Sequence, residues 1–315
     1  MRALRFHRYG GPDVLRWEHV SDPSPGRGQI SVRVHAAGLN PKDILTRKGK
    51  MRLVSPGLPH LGGQDLAGVV HAVGKGVRAP RVGESVFGMI GGFGAGACAE
   101  FAVLDADEVA LMPRTATMIE AAALPLAGLT ALQALRDILR VQPGETVALN
   151  GASGGVGVYA IQIAKLLGAH VVAVSSSRNA AFVTELGADE SLPYDEMPLV
   201  ERDRTFDCVF DIFGTAPYEQ ASRLLGPGGR HVSTLPRPRI ILRSLLSRVR
   251  PDLEARLVLV DSRARDLARL AQWIDEGSLR AVVDRVWPIG EAAAAHAYLE
   301  TKRARGKVVL EVIGA

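Results

Sequence analysis

Between residues 150 and 160 the chain reads Asn-Gly-Ala-Ser-Gly-Gly-Val-Gly-Val-Tyr-Ala, with glycines at 151, 154, 155 and 157. A glycine-rich turn that enters a helix is suited to an anion. The helix start offers unpartnered N–H groups and partial positive charge, and a residue without Cβ lets a phosphate reach the backbone. The spacing Gly151-x-x-Gly154-Gly155-x-Gly157 is one residue longer than the plain dinucleotide fingerprint. A packing turn alone could use the same glycines, so the next strand has to discriminate. A site for NAD usually carries Asp or Glu at that strand's end, for the ribose 2′-hydroxyl. Here "VVAVSSSRN" offers Ser175, Ser176, Ser177 and Arg178, with no carboxylate. Hydroxyls and a guanidinium suit a 2′-phosphate, which points to NADPH; a solvated Arg178 at a helix start is the plainer alternative.

The elements that must position these residues follow from the pattern around them. "TVALN", "HVVAVS" and "FDCVFDIF" are apolar strands separated by the helical runs "GVYAIQIAKLLG" and "NAAFVTELG". Alternating strands and helices imply βαβ units around a parallel sheet. Upstream, "QISVRVHAAGLN", "LAGVVHAVGKGV" and "GESVFGMI" are short strand-turn units of a mostly antiparallel, barrel-like domain. The Ala/Leu-rich "TATMIEAAALPLAGLTALQALRDIL" reads as helix, and "GKVVLEVIGA" as a strand returning to the first domain. These signals predict three segments, 1–116, 117–261 and 262–315, the middle one holding the nucleotide.

The 315 residues carry a net charge of +5, spread along the chain rather than clustered, which fits an anionic small ligand better than nucleic acid. Two cysteines, Cys98 and Cys208, cannot build a disulfide scaffold and suit a reducing compartment. There is neither a signal-peptide block nor an apolar run long enough for a bilayer, so a cytoplasmic protein without stable membrane insertion is expected.

"GASGGVGVYAIQIAKLLGAHVVAVSSSRNAAFVTELGAD" resembles the nucleotide-binding core of the zinc-independent medium-chain dehydrogenases/reductases, the quinone oxidoreductase (zeta-crystallin-like) group. "AAGLNPKDILTRKG", "PHLGGQDLAGVVHAVG", "AAALPLAGLTALQAL", "LLGPGGRHVS" and "RARGKVVLEV" follow in the family's order, so the likeness covers nearly the whole chain. It implies a doubly wound Rossmann sheet inserted into a GroES-like, mostly antiparallel catalytic domain, and a homodimer. NADPH would lie in the cleft between the domains. Asn40 would contact the nicotinamide ribose or substrate, and Thr130 the nicotinamide end. Ser153, Gly154, Gly155 and Val156 would cradle the pyrophosphate. Ser176, Arg178 and Tyr194, with Ser175 beside them, would hold the adenosine phosphate end. Phe213 would flank the adenosine side, and Leu235 would lie beside the nicotinamide.

Zinc-dependent members of that superfamily have Cys near position 40 and Gly-His-Glu where this chain has Gly63-Gln64-Asp65. Asn40 and Gln64 replace the two soft ligands, and amides are poor zinc ligands. No metal site is expected, and His60 reads as a loop histidine. Some quinone reductases place a tyrosine after "NPxD"; Leu45 stands there instead. Asp43 is then a candidate proton relay, although capping a local turn is the plainer role for it. Thr46 and Lys48 are weaker candidates, and Phe93 either lines a substrate pocket or closes its loop. In the 236–250 segment, Leu242, Leu245, Leu246 and Val249 share a helical face between arginines. This segment covers a cleft or subunit interface, or else handles an anionic substrate or an acidic surface, with an amphipathic membrane-surface helix as the weakest alternative.

The expected reaction is zinc-independent hydride transfer from NADPH to a quinone or an α,β-unsaturated carbonyl. Such acceptors are already electrophilic, so positioning suffices and no acid/base pair need be conspicuous. A zinc-independent alcohol or aldehyde oxidoreductase and a nucleotide-binding protein with a structural or regulatory role are the competing readings.

Overall fold

A computed structural model describes residues 1–55, 57–92, 94–246 and 255–313, leaving out the side chain of Leu245. Phe93 and Val249 therefore lie outside the described residues. The chain divides into two compact units, residues 1–129 with 261–315, and residues 130–260.

The first unit begins with β1 (Arg2–Phe6), β2 (Arg16–His19) and β3 (Gln29–Leu39), followed by helix α1 (Pro41–Arg47). Next come β4 (His60–Leu61), β5 (Asp65–Val73), β6 (Ser85–Met89), β7 (Phe101–Asp105) and β8 (Val109–Leu111). Helices α2 (Met118–Ala122) and α3 (Pro125–Leu132) then lead into the second unit. β1, β2 and β4 form a small sheet, and β3 is the long central strand of a seven-stranded one. β3 pairs antiparallel with β5 and β7, and it carries apolar side chains such as Ile30, Val32 and Val34 into the core.

The Ala/Leu-rich run is not one helix. Pro125 has no N–H to continue α2 and instead starts α3, in the position where a helix tolerates it. Residues 117–129, grouped by composition with the nucleotide-binding part, pack in the first unit. At Gly38, on β3, a side chain would lie 2.3 Å from the Ala122 carbonyl, so α2 rests directly on the sheet backbone.

The second unit contains β9 (Thr146–Asn150), α4 (Gly157–Leu166), β10 (His170–Ser175), α5 (Ala180–Glu185), β11 (Glu190–Pro193) and β12 (Phe206–Asp211). It continues with α6 (Tyr218–Ala221), β13 (Leu225–Ser233), α7 (Pro238–Leu246) and β14 (Ala255–Leu257). Its sheet is parallel throughout, in the order β11-β10-β9-β12-β13-β14. The order reverses between β9 and β12, and ligands of such sheets bind outside the carboxyl ends of the strands at that point. Strands buried on both faces need uninterrupted apolar runs, and Val171–Val174 of β10 are fully buried.

The chain ends in the first unit with α8 (Ala264–Asp275), β15 (Val283–Pro288), α9 (Ala292–Glu300) and β16 (Lys307–Glu311). β16 pairs antiparallel with β3, with Val308 opposite Leu39. This register sets Lys307 at the carboxyl end of β3, beside the start of α1. A Rossmann-type parallel sheet thus accompanies a mostly antiparallel GroES-like unit built from both ends of the chain. No helix among the described residues is long and apolar enough to cross a membrane.

Candidate functional site

In the first unit the candidate chemistry is gathered around Asn40, which starts α1 after the end of β3. Asn40 is buried, and its backbone N–H donates to Asp43 Oδ2 at 2.7 Å. Asp43 therefore caps the turn, as its spacing suggested, and holds the chain's entry into α1. The Asn40 side chain is fixed from two sides. Its Nδ2 donates to Asp65 Oδ2 at 3.0 Å, and its Oδ1 accepts from Lys307 Nζ at 2.6 Å. Lys307 also donates to the Leu39 carbonyl at 3.0 Å and to Asp65 Oδ2 at 3.1 Å, so all three ammonium protons are used. Asp65 is fully buried, and its other oxygen accepts from Leu126 N–H at 3.0 Å. A buried ion pair thus sets the plane of the Asn40 carboxamide.

Lys307 was not singled out by the sequence, and Asp65 entered only as the residue standing where zinc-dependent relatives carry Glu. The available signal was a lysine at the head of the apolar strand "KVVLEV", where a buried charge requires a partner.

Asp43, Thr46, Ser55, His60 and Gln64 line a small pocket in this unit together with Lys42. Burial pushes the Asp43 carboxyl up to about 7, with the Asn40 N–H and the charges of Lys307 and Lys42 pulling the other way. Burial also holds the Lys42 ammonium below its usual range. Thr46 spends its hydroxyl proton on the Lys42 carbonyl at 2.9 Å, and Lys48 is paired with Glu300 at 2.6 Å, so neither is poised for proton transfer. Gln64 Oε1 and Ser55 Oγ are buried without a hydrogen-bond partner, which makes the pocket suited to an ordered water. His60 is not a loop residue. It belongs to β4, is buried, and its ring packs against Phe6 with centroids 5.1 Å apart.

The residues here do not fit a catalytic zinc. Asn40 Oδ1 already accepts from an ammonium, and Gln64 Nε2 donates to the Ile90 carbonyl at 3.0 Å. Amides are poor zinc ligands, and although Asp43 and His60 line the same pocket, no group of three or more His, Cys, Asp or Glu side chains among the described residues is placed to hold a metal ion.

In the second unit the glycine turn joins β9 to α4. Gly151 has φ +98°, and a side chain on Gly157 would lie 2.3 Å from the Gly151 carbonyl. The glycines therefore serve both the left-handed turn and the close approach of the α4 start to it. Ser153, Gly154, Gly155 and Val156 form the remainder of the turn, in which the Gly154 N–H donates to the Gly151 carbonyl at 3.2 Å and the Val158 N–H to the Gly154 carbonyl at 3.0 Å, and no side chain caps the start of α4 at Val156. Asn179 Nδ2 donates to Ser153 Oγ at 3.0 Å, which joins this turn to the segment after β10.

That segment holds the three serines, and they differ. Ser175 is buried and donates to the Ser176 carbonyl at 3.3 Å. Ser176 Oγ is buried with no partner. Ser177 is exposed, and both its N–H and its hydroxyl donate to Asp195, at 2.8 and 2.7 Å. The stretch after β10 carries no carboxylate of its own, but a carboxylate reaches it from elsewhere in the chain. β11 runs parallel to β10 and delivers Asp195 from the next strand to the same turn, which the local spacing could not reveal. Tyr194 is half-exposed, and its N–H donates to the Ser175 carbonyl at 2.9 Å, so Ser176, Arg178 and Tyr194 share one edge.

Phe213 lies at the glycine turn. Its N–H donates to the Asn150 carbonyl at 3.2 Å, and its Cβ would be 3.1 Å from a side chain on Gly151. Asp211 fixes this loop by accepting from Asn150 Nδ2 at 2.7 Å and from Gly214 N–H at 2.8 Å. Leu235 packs over Gly214, where a Cβ would be 2.0 Å away. Thr130 is buried within α3, at the head of the second unit. A glycine turn crowded against side chains at the switch point of the sheet, with a buried orphan hydroxyl at the carboxyl end of the neighbouring β10, fits a dinucleotide.

Comparisons with known proteins agree with these geometries. Residues 26–114 match the alcohol dehydrogenase GroES-like domain, and residues 186–310 match zinc-binding dehydrogenase. The chain is 32% identical to quinone-oxidoreductase QR1, chloroplastic, of Triphysaria versicolor, over 99% of this chain and 98% of that one. It is 33% identical to the NADPH-dependent alkenal/one oxidoreductase, chloroplastic, of Arabidopsis thaliana, over 98% of this chain and 79% of that one. The solved quinone oxidoreductase of Coxiella burnetii superposes with a TM-score of 0.90 at 32% identity, over 99% of each chain. This chain belongs to the quinone oxidoreductase (zeta-crystallin-like) family of medium-chain dehydrogenases/reductases, and it is an oxidoreductase enzyme.

Proposed function

We propose that this protein reduces a quinone or an α,β-unsaturated carbonyl with NADPH and without zinc. The observation that carries the cofactor choice is the buried, unpartnered Ser176 hydroxyl beside Arg178 at the carboxyl end of β10. A 2′-phosphate would give that hydroxyl an acceptor and set its own charge beside the Arg178 guanidinium, which a free 2′-hydroxyl does only in part. The similarity to an enzyme named as an NADPH-dependent alkenal/one oxidoreductase supports the same reading.

The bound dinucleotide would supply the hydride. Ser153 to Val156 would bind its pyrophosphate through backbone N–H groups, with Phe213 and Leu235 shaping the adenosine and nicotinamide sides. Thr130 would bear on the nicotinamide end. Asn40, its plane set by Lys307 and Asp65, would orient the nicotinamide ribose or the substrate through the second lone pair of Oδ1. An acceptor of this kind is already electrophilic, so what the chain contributes is placement and exclusion of water. Asp43 caps α1 and holds a proton near neutral pH, but the product proton comes from water. Its place in the small pocket makes it at most a partner to that water.

The test is titration of the purified protein with each cofactor. Arg178→Ala should weaken NADPH by roughly 1.5–3 kcal/mol, the scale of a charge-assisted hydrogen bond, and leave NADH nearly unchanged. Equal weakening of both would remove the 2′-phosphate from the reading. A panel of quinones and enones, followed by NADPH oxidation, tests the acceptor class; turnover of alcohols or aldehydes alone would overturn it.

A further inference from the structure

The carboxylate that the structure brings to the end of β10 bears on this proposed cofactor choice. Asp195 Oδ1 accepts from Ser177 N–H at 2.8 Å and Oδ2 from the Ser177 hydroxyl at 2.7 Å. These are two donors of the turn that also carries Ser176 and Arg178, and they are the kind a phosphate would use. Their bonds to Ser177, with the charge of Arg178 adding, hold the Asp195 carboxyl below its usual range, so it is anionic at neutral pH. Asp195 is exposed and packs no core, so it is not needed there to fill space.

Resting on the 2′-phosphate reading, we infer that Asp195 is a specificity residue that restrains NADPH preference, because it occupies the Ser177 donors and sets a negative charge beside the place of the 2′-phosphate. A ribose 2′-hydroxyl, by contrast, carries no charge to be repelled. The pocket then has opposed elements: Ser176 and Arg178 favour the phosphate, while Asp195 disfavours it. Selectivity is a difference of affinities, and a repulsive group tunes it as effectively as an attractive one.

The experiment measures NADPH and NADH dissociation constants by fluorescence titration, and repeats the comparison calorimetrically with 2′,5′-ADP and 5′-ADP, which need no turnover. Asp195→Asn removes the charge while an amide oxygen still accepts from the Ser177 N–H. Asp195→Ala also frees both donors. Each should tighten NADPH and 2′,5′-ADP by about fivefold to tenfold and leave NADH and 5′-ADP within about twofold, as expected for removing one like charge near the surface. The gain should shrink as salt is raised, because exposed charges are screened. If both variants weaken the two cofactors alike, Asp195 only holds the turn and the inference is overturned. Arg178→Ala in the same titration separates the two ideas. Equal loss of both cofactors there would sink the 2′-phosphate reading itself. Selective loss of NADPH there, with no change in either Asp195 variant, would sink only the role of Asp195.

Discussion

Lys307→Met isolates the ion pair that holds Asn40. The substitution keeps an unbranched chain of similar length and deletes the ammonium. The lost bonds are those to the Leu39 carbonyl at 3.0 Å, Asn40 Oδ1 at 2.6 Å and Asp65 Oδ2 at 3.1 Å. Asp65 would then be a fully buried carboxylate whose donors among the described residues are Asn40 Nδ2 and Leu126 N–H, both at 3.0 Å. Removing one member of a buried pair typically costs about 3–5 kcal/mol, since the remaining charge is left without compensation. Removing both charges in Asp65→Asn/Lys307→Met should cost less than the sum of the single changes, by about 1–3 kcal/mol of coupling. Denaturant unfolding of the four proteins at neutral pH measures this, with NADPH oxidation recorded on the folded variants. Turnover should fall in Lys307→Met even under conditions where the protein is fully folded, because the Asn40 carboxamide is then held from one side only, through Asp65. A cost below about 1 kcal/mol, or strict additivity in the double variant, would show that the pair does not do what its geometry implies.

Asp43→Asn should change the pH dependence of stability. The folded carboxyl is pushed up to about 7, so the fold binds its proton more tightly than the unfolded chain does. The stability it contributes is complete below the unfolded value of about 4 and is lost as pH rises through 7; the variant should therefore gain Tm relative to wild type between pH 5 and pH 8, and the opposite trend would refute the assignment. Elemental analysis should find no stoichiometric zinc, and chelator should leave activity intact; one zinc per chain with activity lost on its removal would overturn the zinc-free reading. In single-turnover NADPH oxidation, Asp43→Asn and Thr46→Val should each slow the reaction by less than about tenfold, because a positioned general acid usually contributes a hundredfold or more. Asn40→Ala should slow it further; abolition by either of the first two, with NADPH affinity retained, would establish a dedicated protein relay.

What the sequence made legible was local. The glycine turn, its strand and its helix form one run from Thr146 to Leu166, and the reason for Gly157 lies within that run, in the Gly151 carbonyl its side chain would meet. The same holds for Asp43 capping Asn40, three residues away. What stayed hidden depends on strands that meet only in the fold. Lys307 reaches Asn40 because β16 pairs with β3 across a separation of 267 residues. Asp195 reaches Ser177 because β11 lies next to β10 in the parallel sheet. Three consecutive serines look equivalent in a string, yet one is turned into its own backbone, one is bound by a carboxylate and one is left without a partner. Only the last has its donor free for a ligand.

The two partly hidden groups act in different ways, and the difference follows from burial. Lys307 and Asp65 are screened from water, so their interaction is strong, insensitive to salt and suited to holding one carboxamide in one orientation. Asp195 and Arg178 stand in solvent, where a charge contributes little to stability but still biases which ligand is accepted. A hydride acceptor that is already electrophilic demands accurate placement of a few atoms and little else. On the proposed reading the buried pair would supply that accuracy at Asn40, while Arg178 and Asp195 could change with cofactor demand without disturbing it. Substitutions at 178 and 195 should therefore move cofactor selectivity with little effect on unfolding, whereas those at 65 and 307 should move both stability and turnover.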